Sequence, residues 1–131
     1  MRRTTVLAVA LLLAGGLACG GMGSGGGGGG SGTLTTQQLR QLEAEYDDMY
    51  ELVQGERPTW LQTRGNVSFQ NPEAGLPAVF VDGVEQGRPS ALRRLNPSDV
   101  EEAEFMSASD ATTRYGTGYP GGIIRVSTRG G

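Results

Sequence analysis

From Thr33 to Gly55 the chain reads TLTTQQLRQLEAEYDDMYELVQG, and its apolar positions recur with the period of a helix. Leu39, Leu42, Tyr46, Met49, Tyr50 and Val53 stand three and four residues apart and form one stripe, with Glu43, Glu45, Asp47 and Asp48 mostly elsewhere on the surface. The spacing predicts a single helix of about five turns. Thr35 or Thr36 is its N-cap, Gly55 its stop, and Pro58 follows. The Tyr and Met positions read as core rather than as a ligand box. Asp47 and Asp48 read as a solvated face, because adjacent helix residues point about 100° apart.

After Gly55 the period shortens. RPTWLQTRG carries the only tryptophan, Trp60, placed to close one end of a core, and a short strand is expected about Val67 to Phe69, followed by a loop. Ala78 to Val81 is apolar on both faces, as a buried central strand would be, and Asp82-Gly83 is a strong turn signal. RPSALRRLNPSDV predicts a short helix around Ser90 to Leu95 and a capped turn over Asn96-Pro97-Ser98-Asp99. In VEEAEFMS, Glu102 and Glu104 alternate with Ala103 and Phe105, the pattern of a half-exposed strand. SASDATTRYG reads as a short helix capped by Ser107 or Ser109 and stopped by Gly116. IIRVSTR closes the series as a strand with Ile124 and Val126 on one face and Ile123, Arg125 and Ser127 on the other. The fold class expected is α+β: a long N-terminal helix plus a small mixed sheet of about four strands with two short helices.

The amino terminus follows a different pattern. Met1-Arg2-Arg3 is a short basic start, and Val6 to Leu13 is an apolar run well short of the roughly 20 residues that span a bilayer as a helix. It reads as a secretory signal peptide. Gly16-Leu17-Ala18-Cys19-Gly20 then resembles the bacterial lipobox, with Gly16 where Leu is usual. That resemblance implies cleavage before Cys19 and a lipid on its sulfur, and Gly20 in place of Asp after it implies transport to the outer membrane. The alternative is an ordinary small-residue cleavage site with an incidental cysteine. Chemistry favours lipidation, since a lone cysteine in an exported chain has no partner within the chain and acylation removes the free thiol. From Gly20 to Gly32 ten of thirteen residues are Gly. Such a segment buries too little apolar surface to offset its ordering entropy, and reads as a flexible tether of about 20 Å root-mean-square reach. The organisation expected is thus signal peptide 1–18, lipidated cysteine and tether 19–32, and an α+β domain 33–129.

Composition narrows the chemistry. The 131 residues include no His, one Cys and no Lys, all 11 basic residues being Arg. No imidazole base, Schiff-base or P-loop lysine, or Cys/His zinc cluster can be built, and no cofactor or metal is expected. The formal charge is −3. Cleavage before Cys19 removes Arg2 and Arg3 and leaves 9 Arg against 14 acids, or −5. A nucleic-acid surface is not expected, and nothing basic remains beside the lipid to hold anionic headgroups.

Gly116-Thr117-Gly118-Tyr119-Pro120-Gly121 matches G-x-G-x-x-G. A dinucleotide loop follows a strand and opens a helix, so that the pyrophosphate meets the helix N-terminus. Here the glycines follow a predicted helix and open a predicted strand, and Pro120 removes a backbone donor. They read as turn geometry and close packing.

Taken in order, PAVFVDGVEQG and LRRLNPSDVEEAEFMSASDATTRYGTGYPGGIIRVSTR resemble the TonB-dependent receptor plug domain. The family's landmarks fall on Val81-Asp82-Gly83, Asn96-Pro97, Asp99-Val100, Tyr115-Gly116 and Gly122-Ile123-Ile124; the helix before them and WLQTRG match more loosely. The resemblance implies a plug-like fold and an outer-membrane setting, with an outer-membrane barrel or TonB-system protein as partner. Ala103 departs from the family, which has a larger aliphatic there. With two residues after Arg129 and no clear TonB-box-like segment, the chain is not expected to form a pore or to drive uptake by itself. Two functions remain in view. One is a non-catalytic, lipid-anchored, periplasm-facing binding module accessory to envelope transport. The other is a small carboxylate-dependent enzyme or Ca²⁺ binder drawing on Asp82, Asp99, Glu101, Glu102 and Glu104, although no D-x-[DN]-x-[DN]-G loop is present.

Overall fold

A computed structural model of the chain describes residues 32–65 and 69–131. The signal peptide, Cys19 and the tether up to residue 31 lie outside the described residues. So does most of the strand expected about Val67 to Phe69; Phe69 itself sits in a turn, fully exposed.

Among the described residues there are five strands: β1 (Gly32–Leu34), β2 (Ala78–Val81), β3 (Val84–Gly87), β4 (Val100–Met106) and β5 (Ile123–Thr128). They form one mixed sheet in the order β1-β4-β5-β2-β3, with β2 and β5 parallel and the other neighbours antiparallel. The patterns of β2, β4 and β5 announced them. β1 and β3 were not expected, and the reason is the same for both: each is a sheet edge. β1 is three residues with only Leu34 buried, and β3 is exposed along most of its length, so neither shows an apolar alternation.

One irregularity matters for facing. The pairing of β4 with β5 shifts between Val100 and Glu102, so Glu101 is an extra residue on β4. A regular strand would put positions three apart on opposite faces. The bulge instead lets Val100 share a face with Ala103 and Phe105, and all three are buried in one cluster.

The long N-terminal helix is two helices, α1 (Thr36–Leu42) and α2 (Met49–Glu56). Thr35 caps α1 in a reciprocal box with Gln38. Acidic residues at a helix C-terminus oppose its dipole, and Glu43, Glu45, Asp47 and Asp48 gather where α1 would have to continue. Asp48 instead caps α2, its carboxylate accepting the Glu51 N–H at 2.9 Å, while the Met49 N–H donates to the Leu95 carbonyl at 2.9 Å. Asp48 is therefore a cap, not part of a solvated helix face. Gly55 does not stop α2 either. It lies inside the last turn, where the Tyr46 ring passes so close that a Cβ would meet it, and the Tyr46 hydroxyl donates to Glu56 at 3.0 Å.

The helix expected around Ser90 to Leu95 is a 3-10 helix, Pro89–Arg94, with Pro at its first position; further 3-10 turns cover Pro58–Leu61, Pro72–Gly75 and Pro97–Asp99. α3 (Ala108–Tyr115) forms as its pattern indicates, capped by Ser107 and ended at Gly116.

Both faces of the sheet are used. Leu34, Val79, Val100, Ala103, Phe105, Ile124 and Val126 pack against Leu39 of α1, Met49, Leu52 and Val53 of α2, and Trp60 and Leu92 from the 3-10 segments. Trp60 stacks on Phe105 with ring centroids 6.0 Å apart, which places it at the end of the core where β1 begins. On the opposite face a smaller cluster joins Ala78, Phe80, Met106 and Ile123 to Ala111 of α3, with Tyr119 at its margin.

Candidate functional site

The sheet's second face carries the polar groups. α3 covers one end of it through Ala111 and leaves the rest open. Across the open part, register aligns Thr33, Glu104, Arg125, Phe80 and Glu85 in a single row through all five strands. Glu104 and Arg125 are directly opposed and form an ion pair of 3.2 Å. Beside them is a depression of about 310 Å³ lined by Glu104, Met106, Asp110, Thr113 and Arg114. Asp110 faces inward on its own helix: it accepts from the Ser107 hydroxyl at 2.8 Å, in the cap of α3.

At the other end of the row, Phe80, Tyr115 and Tyr119 form an aromatic triad with centroid separations of 5.1, 5.8 and 6.4 Å. The Tyr119 hydroxyl donates to Glu85 at 3.3 Å. Partial burial first, then the Glu85 charge and this hydrogen bond, hold the Tyr119 phenol above its ordinary value. It is a neutral donor at physiological pH, suited to fixing the Glu85 side chain of the edge strand rather than to accepting a proton.

The landmark residues sit at joints of the fold. Val81-Asp82-Gly83 forms the β2–β3 hairpin, and both central residues, Asp82 and Gly83, have positive φ, 48° and 84°. A two-residue turn of that hand matches the twist of the strands it joins. The Asp82 carboxylate accepts the Thr128 N–H at 2.8 Å and the Thr128 hydroxyl at 2.7 Å, which lashes the hairpin to the end of β5. Those two bonds hold its carboxyl below the usual value. Asn96 accepts the Ser98 N–H at 2.9 Å, Pro97 is buried behind it, and the Asp99 carbonyl takes the Arg129 N–H at 2.9 Å before Val100 starts β4. Tyr115 ends α3 against Phe80, Gly116 releases the chain, and Gly122-Ile123-Ile124 enters β5 with one isoleucine in each core cluster.

The five carboxylates considered for chemistry are not brought together as a site. Asp82 is bonded to Thr128, and Asp99 is exposed beyond Pro97. The Glu101 carbonyl at the bulge accepts the Thr36 hydroxyl at 2.7 Å. Glu102 is exposed opposite Ser127, and Glu104 is neutralised by Arg125. Glu102 and Glu104 do share the second face of β4. Among the described residues, no group of three or more His, Cys, Asp and Glu is placed to hold a metal ion, and no polar or charged residue is fully buried. Partners that sequence reasoning missed are Tyr119 with Glu85 and the α3 residues around the depression; only the strand register and the docking of α3 bring them together.

The glycine motif is resolved by the same geometry. The Gly116 to Gly121 segment links the end of α3 to the start of β5. A Cβ at Gly121 would meet the backbone of Gly75 and Leu76, and one at Gly122 the Met106 carbonyl and the Phe105 ring. Gly121 and Gly122 thus admit neighbouring backbone, and the segment follows the end of a helix and leads into a strand rather than opening a helix.

No protein-family model matches the chain, and no curated protein matches it. Among solved structures, the siderophore receptor PirA from Pseudomonas aeruginosa is similar to it over 76% of this chain, with 21% identity and a TM-score of 0.47. The chain spans 18% of the length of that receptor.

Proposed function

We propose that this chain is a non-catalytic binding module of the bacterial envelope: a plug-like α+β domain, held at the outer membrane by a lipid on Cys19, facing the periplasm and accessory to transport. The observation that carries the reading is an ordered series in the sequence. The V-D-G turn, N-P turn, D-V strand start, small-residue helix ending in Y-G, and G-I-I strand follow one another as they do in plug domains, and in this chain each falls at the joint of two elements. Two further features support it. β3 is an exposed edge that pairs with β2 alone among the described residues, a geometry that accepts an extended segment of a partner. The carboxylates are tied to Thr128 and Arg125 or left apart in solvent, the use a structural sheet makes of them.

The test is crosslinked affinity purification of the epitope-tagged chain from detergent-solubilised outer membrane, with Cys19→Ser as the unanchored control. Recovery of a barrel or TonB-system protein that is lost in the control is the expected result. A domain that is soluble and monomeric, with neither recovered, overturns the transport role. Glu102→Gln and Glu104→Gln separate the enzymatic alternative: a binding module keeps its fold and its partner, whereas an enzyme loses turnover.

A further inference from the structure

Away from the polar sheet face, the 3-10 helix Pro89–Arg94 and the end of the loop before β2 enclose a depression of about 190 Å³. Two guanidinium groups line it, and both are held in place. The Arg88 Nη1 donates to the Leu76 carbonyl at 3.1 Å, and the Arg93 guanidinium stacks on the Tyr50 ring, 4.1 Å from its centroid. Neither forms an ion pair among the described residues. The ion pairs among the described residues use Arg125 and Arg129, although acids outnumber arginines in this chain 14 to 11. Two arginines that line one concavity, each held by a neighbour and neither in an ion pair among the described residues, supply a donor set suited to a planar oxyanion, since a guanidinium presents a fork of N–H groups matched to it. Leu61, Leu76 and Pro89 give it an apolar part, beside Tyr50 and Ser90. Glu73 also lines the depression and forms no ion pair with either arginine.

The geometry points to a binding site for a small organic monocarboxylate, its carboxylate between Arg88 and Arg93 and its apolar body against Leu61 and Pro89. Size and charge both select this class. The volume is below the ~300 Å³ at which sites for drug-sized ligands begin, so the ligand is small. The Glu73 charge opposes a second negative charge on the ligand, which disfavours a phosphate dianion.

The full chain in detergent micelles is titrated with benzoate and, separately, with inorganic phosphate, and amide and side-chain shifts are followed by NMR. Benzoate is expected to saturate with an affinity on the order of 1 mM and to shift Tyr50, Leu61, Leu76 and Arg93. Arg93→Gln is expected to weaken it on the order of tenfold, since one charge-assisted hydrogen-bonding group is lost. Arg93→Lys keeps the charge but not the fork, and falls between the two. Glu73→Gln is expected to raise phosphate affinity more than benzoate affinity. Absence of saturation by benzoate, shifts elsewhere on the domain, unchanged affinity in both Arg93 variants, or tighter binding of phosphate than of benzoate by the unaltered chain would each overturn the proposal. Thermal unfolding of each variant shows whether weakened binding reflects the lost group or a lost fold.

Discussion

Substituting Gly122 by Ala tests whether the glycines near β5 serve shape. Gly122 has a φ of 85°, and its backbone is fixed on both sides: its N–H donates to the Tyr119 carbonyl at 2.9 Å, and its carbonyl accepts the Ala78 N–H at 3.0 Å. A Cβ there would run into the Met106 carbonyl and lie 2.9 Å from the Phe105 ring. Holding a non-glycine residue in such a conformation costs about 1–3 kcal/mol. Forcing a methyl group into a packed core adds about 1–3 kcal/mol more. Gly116 supplies the comparison, because its φ is 86° and nothing lies within 4 Å of its would-be Cβ. Gly116→Ala therefore carries the conformational part alone, and Gly122→Ala should be the more destabilising of the two by about 1–3 kcal/mol. For a domain of this size each kcal/mol lowers Tm by about 4–8 °C. The assay is urea unfolding followed by the fluorescence of Trp60, the single tryptophan, which is buried against Phe105. Equal unfolding midpoints for the two variants at equal slopes would refute the close-packing account of Gly122.

Four other outcomes follow from the same structure. Asp82 has a folded-state pKa below its unfolded value, so its contribution to stability is present above the unfolded pKa of about 3.9 and is lost as pH falls through the depressed folded value. The stability difference between the unaltered chain and Asp82→Asn, measured by denaturation across pH, should accordingly be constant from neutral pH down to about 5 and shrink below about 4. A double-mutant cycle on Glu104 and Arg125, whose side chains are 32% and 38% exposed, should return a coupling of about 0.2–1 kcal/mol that falls with added salt. Trp60→Ala should destabilise by about 3–5 kcal/mol in thermal or chemical unfolding, because it empties the space between Phe105 and β1. Asp48→Ala removes the cap of α2 and should cost about 1 kcal/mol in the same assay, whereas Asp47→Ala, exposed and not a cap, should stay within about 0.5 kcal/mol.

Local chemistry determined much of this protein in the sequence itself. Strands β2, β4 and β5, the Asp82-Gly83 turn and the stop at Gly116 were legible, and the caps were narrowed to Thr35 or Thr36 and to Ser107 or Ser109, because each depends on residues within a few positions of one another. The two-sided character of β5, Ile123 against Ile124, was legible for the same reason. What only the tertiary structure decided depends on contacts distant in sequence. The expected long helix became α1 and α2 because Asp48 caps better than it continues, and because the Met49 N–H finds the Leu95 carbonyl 46 positions away. Gly55 reads as a stop until the Tyr46 ring is laid across it. Edge strands β1 and β3 carry no apolar alternation, so only pairing with β4 and β2 defines them. The Arg88 and Arg93 pair follows the same rule: composition shows an excess of acid, and nothing in the spacing of the arginines tells which of them go unpaired. Periodicity reports which side of an element is buried. The partner it is buried against, and which charges that partner leaves free, is set by packing among segments that the sequence keeps far apart.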